Sequence, residues 1–340
     1  MKNGVLNVYK EAGFTSHDVV AKLRGICGQK KIGHTGTLDP DAVGVLPVCL
    51  GNATKLCDLL AGETKEYEAV LLLGRTTDTQ DLTGTVLEER PVTADEKEAR
   101  EAVLSFLGEY DQIPPMYSAL KVNGKKLYEL ARAGKEVERR PRRVRIDSLE
   151  ILKTELPEIT FRVECSKGTY IRTLCDDIGR KLGCGGTMKS LKRTRVGRFE
   201  IAQARTLKEL EALAGEGRLE EALIPVEELF AGCPRLMVKP EWGRLVRNGN
   251  ELFPEQVLRQ DGAADRRENP ADPGRASAAS ADPRGRASAA SADPPGRASA
   301  ETDPGWFRVC GPDGVFYGIY ELCPERGEKG SYRPVKMFLT

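Results

Sequence analysis

Gly33-His34-Thr35-Gly36-Thr37-Leu38-Asp39-Pro40-Asp41-Ala42-Val43-Gly44-Val45-Leu46-Pro47 is the stretch that decides how the rest of the chain is read. Gly33, Gly36, Gly44, Pro40 and Pro47 surround Asp39, His34 and Asp41. Glycine reaches backbone conformations closed to other residues and proline presets φ, so together they fix a loop of defined shape. A carboxylate held in such a loop is a candidate nucleophile or base. Local composition alone also fits a plain turn started by Asp39-Pro40, and a metal hydrolase built on His34, Asp39 and Asp41 is another reading of the same residues.

Upstream of the loop, residues 5–9 read as a short strand followed by an amphipathic helix. Ser16 is placed to cap that helix, Val19, Val20, Leu23, Ile26 and Cys27 recur at helical spacing, and Gly28 ends it. Downstream come the apolar run 45–50 and a helix over 53–60. Lys65–Leu73 then begins with an alternation that suits a strand entering a sheet, with Tyr67 facing opposite to Glu66 and Glu68. Helices over 95–107 and 126–133, a hairpin turn at Val122-Asn123-Gly124, and strands over 144–152 and 159–165 follow. This interleaving lacks the regular rhythm of a doubly wound parallel sheet. It predicts an α+β fold, a mixed, largely antiparallel sheet flanked by helices.

A chain of 340 residues, 40% hydrophobic and 30% charged, is long enough for two domains with cores of their own. Neither a secretory leader nor a membrane span is recognisable, so the cytoplasm is the expected compartment. Nine cysteines include no C-x2-C pair, and only His17 and His34 exist to help them bind metal, so reduced buried thiols are expected. The net charge of +1 conceals two basic clusters. Residues 135–145, KEVERRPRRVR, carry six cations against two glutamates, and residues 189–198, KSLKRTRVGR, carry five cations and no acid. Either can contact phosphates, and either taken alone can equally be a solvated face. From 261 to 305 the composition turns to Ala, Ser, Asp, Pro, Gly and Arg, with a related unit recurring near Asp272, Asp282 and Asp293. Such a segment lacks the apolar residues that offset the entropy of ordering, and a disordered insertion is expected there. The boundaries that follow are a domain over 1–232 and a small β-rich domain over 233–340, interrupted at 261–305.

The whole string from Gly33 to Pro47, with Gly51-Asn52-Ala53-Thr54-Lys55 after it, resembles the catalytic motif of the TruB family, the enzymes that form pseudouridine in the T-loop of transfer RNA. Lys65-Glu66-Tyr67 with Leu73-Gly74-Arg75-Thr76-Thr77-Asp78-Thr79 resembles the family's second motif, whose tyrosine stacks on the target base. Gln112-Ile113-Pro114-Pro115-Met116-Tyr117-Ser118-Ala119-Leu120-Lys121 is a third match. Cys165-Ser166-Lys167-Gly168-Thr169-Tyr170-Ile171-Arg172-Thr173-Leu174 is a fourth, in which the family's arginine pairs with the catalytic aspartate. Leu191-Lys192-Arg193-Thr194-Arg195-Val196-Gly197 matches the closing motif. The C-terminal piece is similar, more weakly, to the family's PUA domain, a small RNA-binding β-barrel. One departure is Lys10-Glu11 where the family has Lys-Pro. Proline there acts mainly by presetting a turn, and no catalytic role is carried over to Lys10.

The resemblance implies a pseudouridine synthase fold and isomerisation of the T-loop uridine at tRNA position 55. It assigns Asp39 as nucleophile, Arg172 as its partner and Tyr67 as the stacking residue, with His34, Tyr170, Leu191, Lys192 and Arg193 contacting substrate. It implies a monomer that binds the tRNA T-arm and uses no cofactor, metal or membrane. Two alternatives stay open at this point: the catalytic subunit of a guide-RNA pseudouridylation particle, and an RNA-binding chaperone that unfolds and refolds tRNA.

Overall fold

The computed structural model describes residues 1–122, 124–260, 305–326 and 330–339, which fall into two units, Met1–Phe230 and Ala231–Leu339. The first unit begins with β1 (Gly4–Lys10), α1 (Ser16–Cys27), β2 (Ile32–His34), β3 (Val43–Leu50), α2 (Cys57–Ala61) and β4 (Lys65–Leu73). It continues through β5 (Arg75–Thr77), β6 (Val86–Glu89), α3 (Glu96–Leu104), β7 (Gly108–Gln112), β8 (Lys121–Val122), β9 (Lys125–Lys126) and α4 (Leu127–Arg132). It closes with β10 (Arg142–Glu155), β11 (Glu158–Cys165), α5 (Ile171–Lys181), β12 (Gly186–Val196), β13 (Phe199–Glu200), α6 (Leu207–Gly215) and β14 (Leu223–Ile224).

The main sheet runs β14-β1-β3-β12-β4-β11-β10-β7, with β2 paired to β3 and β13 to β12. All its pairings are antiparallel except that of β3 with β12, so the sheet is mixed and largely antiparallel, as the sequence predicts. Every second residue of β4 is buried, the period-2 pattern of a strand with one covered face. Tyr67, Ala69, Leu71 and Leu73 enter a core with Phe161 and Val163 of β11 and Ile171, Leu174 and Ile178 of α5. A second core packs Leu6, Val8, Leu46 and Val48 against Val19, Val20 and Leu23 of α1 and Leu210 of α6. Each such buried valine, leucine or isoleucine side chain stabilises the fold by about 1.5–3 kcal/mol.

Two local expectations are corrected. Thr15, not Ser16, caps α1: its side chain accepts from the Asp18 N–H while the Asp18 carboxylate accepts from the Thr15 N–H. The Ser16 hydroxyl instead accepts from the Leu38 N–H at 2.9 Å and ties the helix to the motif loop. The stretch 53–60 is a 3-10 turn, Gly51–Leu56, running into α2 rather than one helix.

The second unit contains β15 (Arg235–Val238), α7 (Gly243–Arg247), β16 (Val257–Gln260), β17 (Trp306–Cys310), β18 (Phe316–Cys323) and β19 (Ser331–Met337). Its sheet order is β16-β15-β17-β18-β19, around a core of Leu236, Val238, Val309, Tyr317 and Tyr320. Among the described residues this sheet is open rather than the expected closed barrel, because β16 and β19 remain its two ends. A single bridge between Leu252 and Tyr332 joins the segment before β16 to β19. The turn residue Asn123 and positions 261–304 of the expected insertion lie outside the described residues; β8 and β9 do pair antiparallel on either side of that turn. Among the described residues no helix is long and apolar enough to cross a membrane.

Candidate active site

Asp39 lies in the loop between β2 and β3, anchored by the buried side chains of Leu38 and Ala42. The Ala42 N–H donates to the Asp39 carbonyl at 3.1 Å, so the turn suggested by Asp39-Pro40 does form. What the turn does is present the carboxylate, which is 36% exposed, to one donor group. Arg172, near the start of α5 and buried, places Nε 2.9 Å from Asp39 Oδ2, and its Nη2 donates to Oδ1 at 3.2 Å. This is the side-on, two-point pairing that a guanidinium and a carboxylate make best. The remaining donors fix the arginine: Nη1 donates to the Thr79 carbonyl at 3.0 Å and Nη2 to the Tyr117 carbonyl at 2.9 Å. Burial raises the Asp39 pKa above the usual carboxylate value, Arg172 pulls it back down, and the nearby charge of Asp81 adds to the rise. The result is an ionisable, accessible carboxylate whose charge leans on one arginine.

Tyr67 of β4 is buried, with Val163 of β11 and Arg193 of β12 as its cross-strand partners. Burial pushes its phenol pKa up while the adjacent Arg193 guanidinium opposes the rise, which keeps the hydroxyl protonated. Leu191 belongs to the same core as Tyr67 and Leu38. Tyr170, half-buried at the entrance to α5, is held by the side chain of Gln112, which accepts from its N–H at 2.8 Å and donates to its carbonyl at 3.0 Å. Arg193 is 1% exposed and sits under the loop, with Nε donating to the Val45 carbonyl at 2.7 Å and Nη2 to the Gly36 carbonyl at 3.3 Å. His34 accepts from the Gly36 N–H at Nδ1, 3.3 Å, and meets the His17 ring edge-on with centroids 5.4 Å apart. Burial, then His17 and Arg193, lower its pKa and favour the neutral ring.

Lys192 is not brought to this group. It is the cross-strand partner of Glu68, on the sheet face opposite Tyr67, and its Nζ lies 3.2 Å from Glu68 Oε2. Its cluster is largely neutralised: Lys189 pairs with Glu158, and Arg195 with Glu164 at 2.8 Å. In the other cluster Lys135, Arg140 and Arg142 are exposed and form no ion pair among the described residues. His34, Asp39 and Asp41 do not converge as a ligand set either. Asp41 is exposed, and among the described residues no three His, Cys, Asp or Glu side chains are grouped to hold a metal.

The chain has relatives among known proteins. A family model described as "TruB family pseudouridylate synthase (N terminal domain)" matches residues 24–171, and one described as "tRNA pseudouridylate synthase B C-terminal domain" matches 172–231. A curated protein of Lachnoclostridium phytofermentans named tRNA pseudouridine synthase B is 49% identical over 99% of this chain and 100% of its own length. The chain belongs to the TruB family of pseudouridylate synthases. One of the same name from Alkaliphilus oremlandii is 50% identical over 75% of this chain and 85% of its own. Among solved structures, a chain of an H/ACA ribonucleoprotein bound to a substrate RNA containing 2′-deoxyuridine shares the fold, with 23% identity and a TM-score of 0.65 over 99% of this chain and 85% of that one. As a member of the TruB family the protein is an isomerase.

Three residues of this TruB site were missed in the sequence. Lys10 is fully buried, and its Nζ donates to the carbonyls of Glu11 (3.1 Å), Phe14 (2.7 Å) and Pro40 (2.9 Å), so it braces the turn behind Asp39. Burial lowers its pKa to about 8, with Asp41 and Asp39 pulling the other way. A lysine ending a mostly apolar strand was the available signal. Asp81 places Oδ2 3.7 Å from Arg172 Nε, while Oδ1 accepts from Thr79 Oγ1, Thr83 Oγ1 and the Thr83 N–H. Nothing in the run Asp78 to Thr83 distinguishes it locally, and the same is true of Gln112.

Proposed function

We propose that this enzyme isomerises the uridine at position 55, in the T-loop of tRNA, to pseudouridine, with Asp39 as the nucleophile. Relatives named for tRNA pseudouridine synthesis support the substrate class. The observation that carries the reading is the two-point pairing of a part-exposed aspartate with a buried arginine. The reaction breaks the bond from ribose C1′ to uracil N1, turns the base and joins C1′ to C5. The C5 proton leaves and N1 gains one, so there is no redox change and no cofactor or metal is called for.

Arg172 keeps Asp39 ionised and aimed once the RNA has excluded water, when charge-assisted bonds gain strength. A uridine stacked in folded RNA must be extruded, and the lost stacking is offset by aromatic and apolar walls. Tyr67, Tyr170 and Leu191 form those walls; Tyr67, protonated at rest, stacks on the detached uracil. His34, neutral, stacks where the base has left or meets the displaced strand. Arg193 supports the site from beneath by holding both ends of the loop. Lys135, Arg140 and Arg142 grip phosphates of the T-arm, contacts that give affinity rather than base identity. Residues 1–232 are the catalytic domain. Residues 233–340 act as the PUA-like RNA-binding domain, and the enzyme works in the cytoplasm as a monomer.

Mass-spectrometric mapping of pseudouridine in transcribed tRNA, treated with the pure protein and no guide RNA, tests the reading. One new pseudouridine in the T-loop is expected, and none with Asp39→Asn, whose tRNA affinity stays within about twofold of the parent's. Activity that appears only with an added guide RNA would make this a particle subunit instead. Loss of binding together with activity in Asp39→Asn would overturn the role given to Asp39.

A further inference from the structure

Gln80 stands between two residues that contact Arg172, Thr79 and Asp81. Thr79 before it supplies the carbonyl that accepts from Arg172 Nη1, and Asp81 after it faces Arg172 Nε. Gln80 has φ 64°, and among the described residues it is the one non-glycine residue at positive φ. Such a conformation is disfavoured for an L residue with a long side chain and persists where the surroundings over-determine it. The restraints are visible. Gln80 Oε1 accepts from Thr173 Oγ1 at 2.8 Å, Nε2 donates to Asp176 Oδ2 at 3.0 Å, and its carbonyl accepts from the Met188 N–H at 3.0 Å. Thr173 and Asp176 are both buried on α5, and Thr173 directly follows Arg172.

The side-chain amide is therefore a strut between the helix that carries Arg172 and the turn that holds its acceptors. We propose that Gln80 is a positioning residue for the Asp39–Arg172 pair: by bridging Thr173 and Asp176 it holds the 79–81 turn where that turn directs Arg172 onto Asp39. The inference rests on reading that pair as catalytic. An amide suits the position because one end must accept from a hydroxyl while the other donates to a carboxylate, and a glutamine does both at this length. Gln80 itself makes no contact with Asp39, so its effect passes through Arg172.

Gln80→Gly relieves the backbone and removes the strut. Gln80→Glu keeps the shape but sets a carboxylate against Asp176; adding Asp176→Asn restores a donor facing an acceptor. Single-turnover rates at saturating tRNA are measured with tRNA affinity and melting temperature. Both single variants should lose about tenfold to a hundredfold in rate, the scale of a small misplacement at a reacting centre. Their affinity should stay within about twofold. The glycine variant should melt no lower than the parent, and the double variant should recover most of the rate. A parental rate in Gln80→Gly, or no recovery in the double variant, overturns the proposal. Asp39→Asn, assayed alongside, separates the two readings. If it is inactive while Gln80→Gly is fully active, only the strut falls; if it is active, the catalytic pair falls.

Discussion

Asp39 is under two opposed influences, burial favouring its protonated form and Arg172 favouring its charge. With the folded pKa above the unfolded one, its contribution to stability is present below the unfolded value and is lost as pH rises through the folded value. At neutral pH the ionised carboxylate is thus a small local cost, placed where charge is needed for reaction. Removing the arginine removes the largest force opposing that rise. Arg172→Met should move the acid limb of the kcat/KM profile to higher pH and lower the rate at pH 7 by about a hundredfold or more. Arg172→Lys should not rescue it, because a point charge cannot replace a two-point pairing and also satisfy two carbonyls. An acid limb that stays in place would sink this account of Asp39. Lys10 has the opposite sign. Its folded pKa of about 8 lies below the unfolded 10.5, so over that interval the unfolded chain binds more protons and stability rises with pH. Urea unfolding at several pH values should show wild type gaining on Lys10→Met from pH 8 upward, by at most about 1.4 kcal/mol per unit; parallel curves would mean Lys10 does not titrate there.

At the scale of elements, the loop owes its position to the one parallel pairing in the main sheet, β3 with β12, where Gly44 lies opposite Arg193. Gly44 has φ 110°, and a Cβ there would stand 2.1 Å from the Arg193 carbonyl oxygen, a backbone atom that cannot swing aside. Gly28 at the end of α1 also has positive φ, 64°, but a Cβ there would meet nothing within 4 Å. Gly44→Ala should therefore destabilise by about 3 kcal/mol or more and take activity with it. Gly28→Ala should cost only about 1–2 kcal/mol, the bare conformational term. Equal losses in urea denaturation would show that close approach is not what demands glycine at 44. The same contrast explains what could be read in advance. The alternation of Lys65–Leu73 is a local signal, and it placed Tyr67 on the covered face. The loop around Asp39 is contiguous, so its motif was legible as one string. Asp81, Gln112 and Gln80 act through partners 58 to 96 residues away, and no local pattern reports those contacts. Lys192 also depends on a distant contact: its neighbour Leu191 enters the core, while Lys192 pairs with Glu68 on the adjacent strand. Barrel closure in the C-terminal unit likewise depends on pairing between edge strands, which composition cannot supply.

Across the whole molecule, a net charge of +1 leaves no general attraction for RNA, so affinity must come from cations that are free of local acids. By that criterion the two basic clusters are unequal. In the cluster at 189–198, Lys189 and Lys192 pair with glutamates, Arg193 is buried, Arg195 meets Glu164 and Glu66, and only Arg198 is exposed without an ion pair among the described residues, its guanidinium donating to the Glu228 carbonyl. In the cluster at 135–145, Arg143 pairs with Asp111 and Arg145 with Asp147, but Lys135, Arg140 and Arg142 stand exposed. Arg142 is also near enough to Tyr170 for its charge to lower that phenol's pKa against the rise from burial. Each cation that neutralises a phosphate releases counterion and adds about 0.7–0.9 to the slope of log affinity against log salt. Arg140→Gln combined with Arg142→Gln should cut that slope by about 1.4–1.8 and weaken tRNA binding without lowering kcat at saturation. Lys192→Gln should leave the slope within about 0.3 of the parent's, because its charge is already matched by Glu68 and no counterion awaits release. Filter binding or fluorescence anisotropy over a salt series reads both. A slope lowered as far by Lys192→Gln as by one of the exposed arginines would show that Lys192 contacts a phosphate despite its Glu68 partner and would overturn this ranking of the cations.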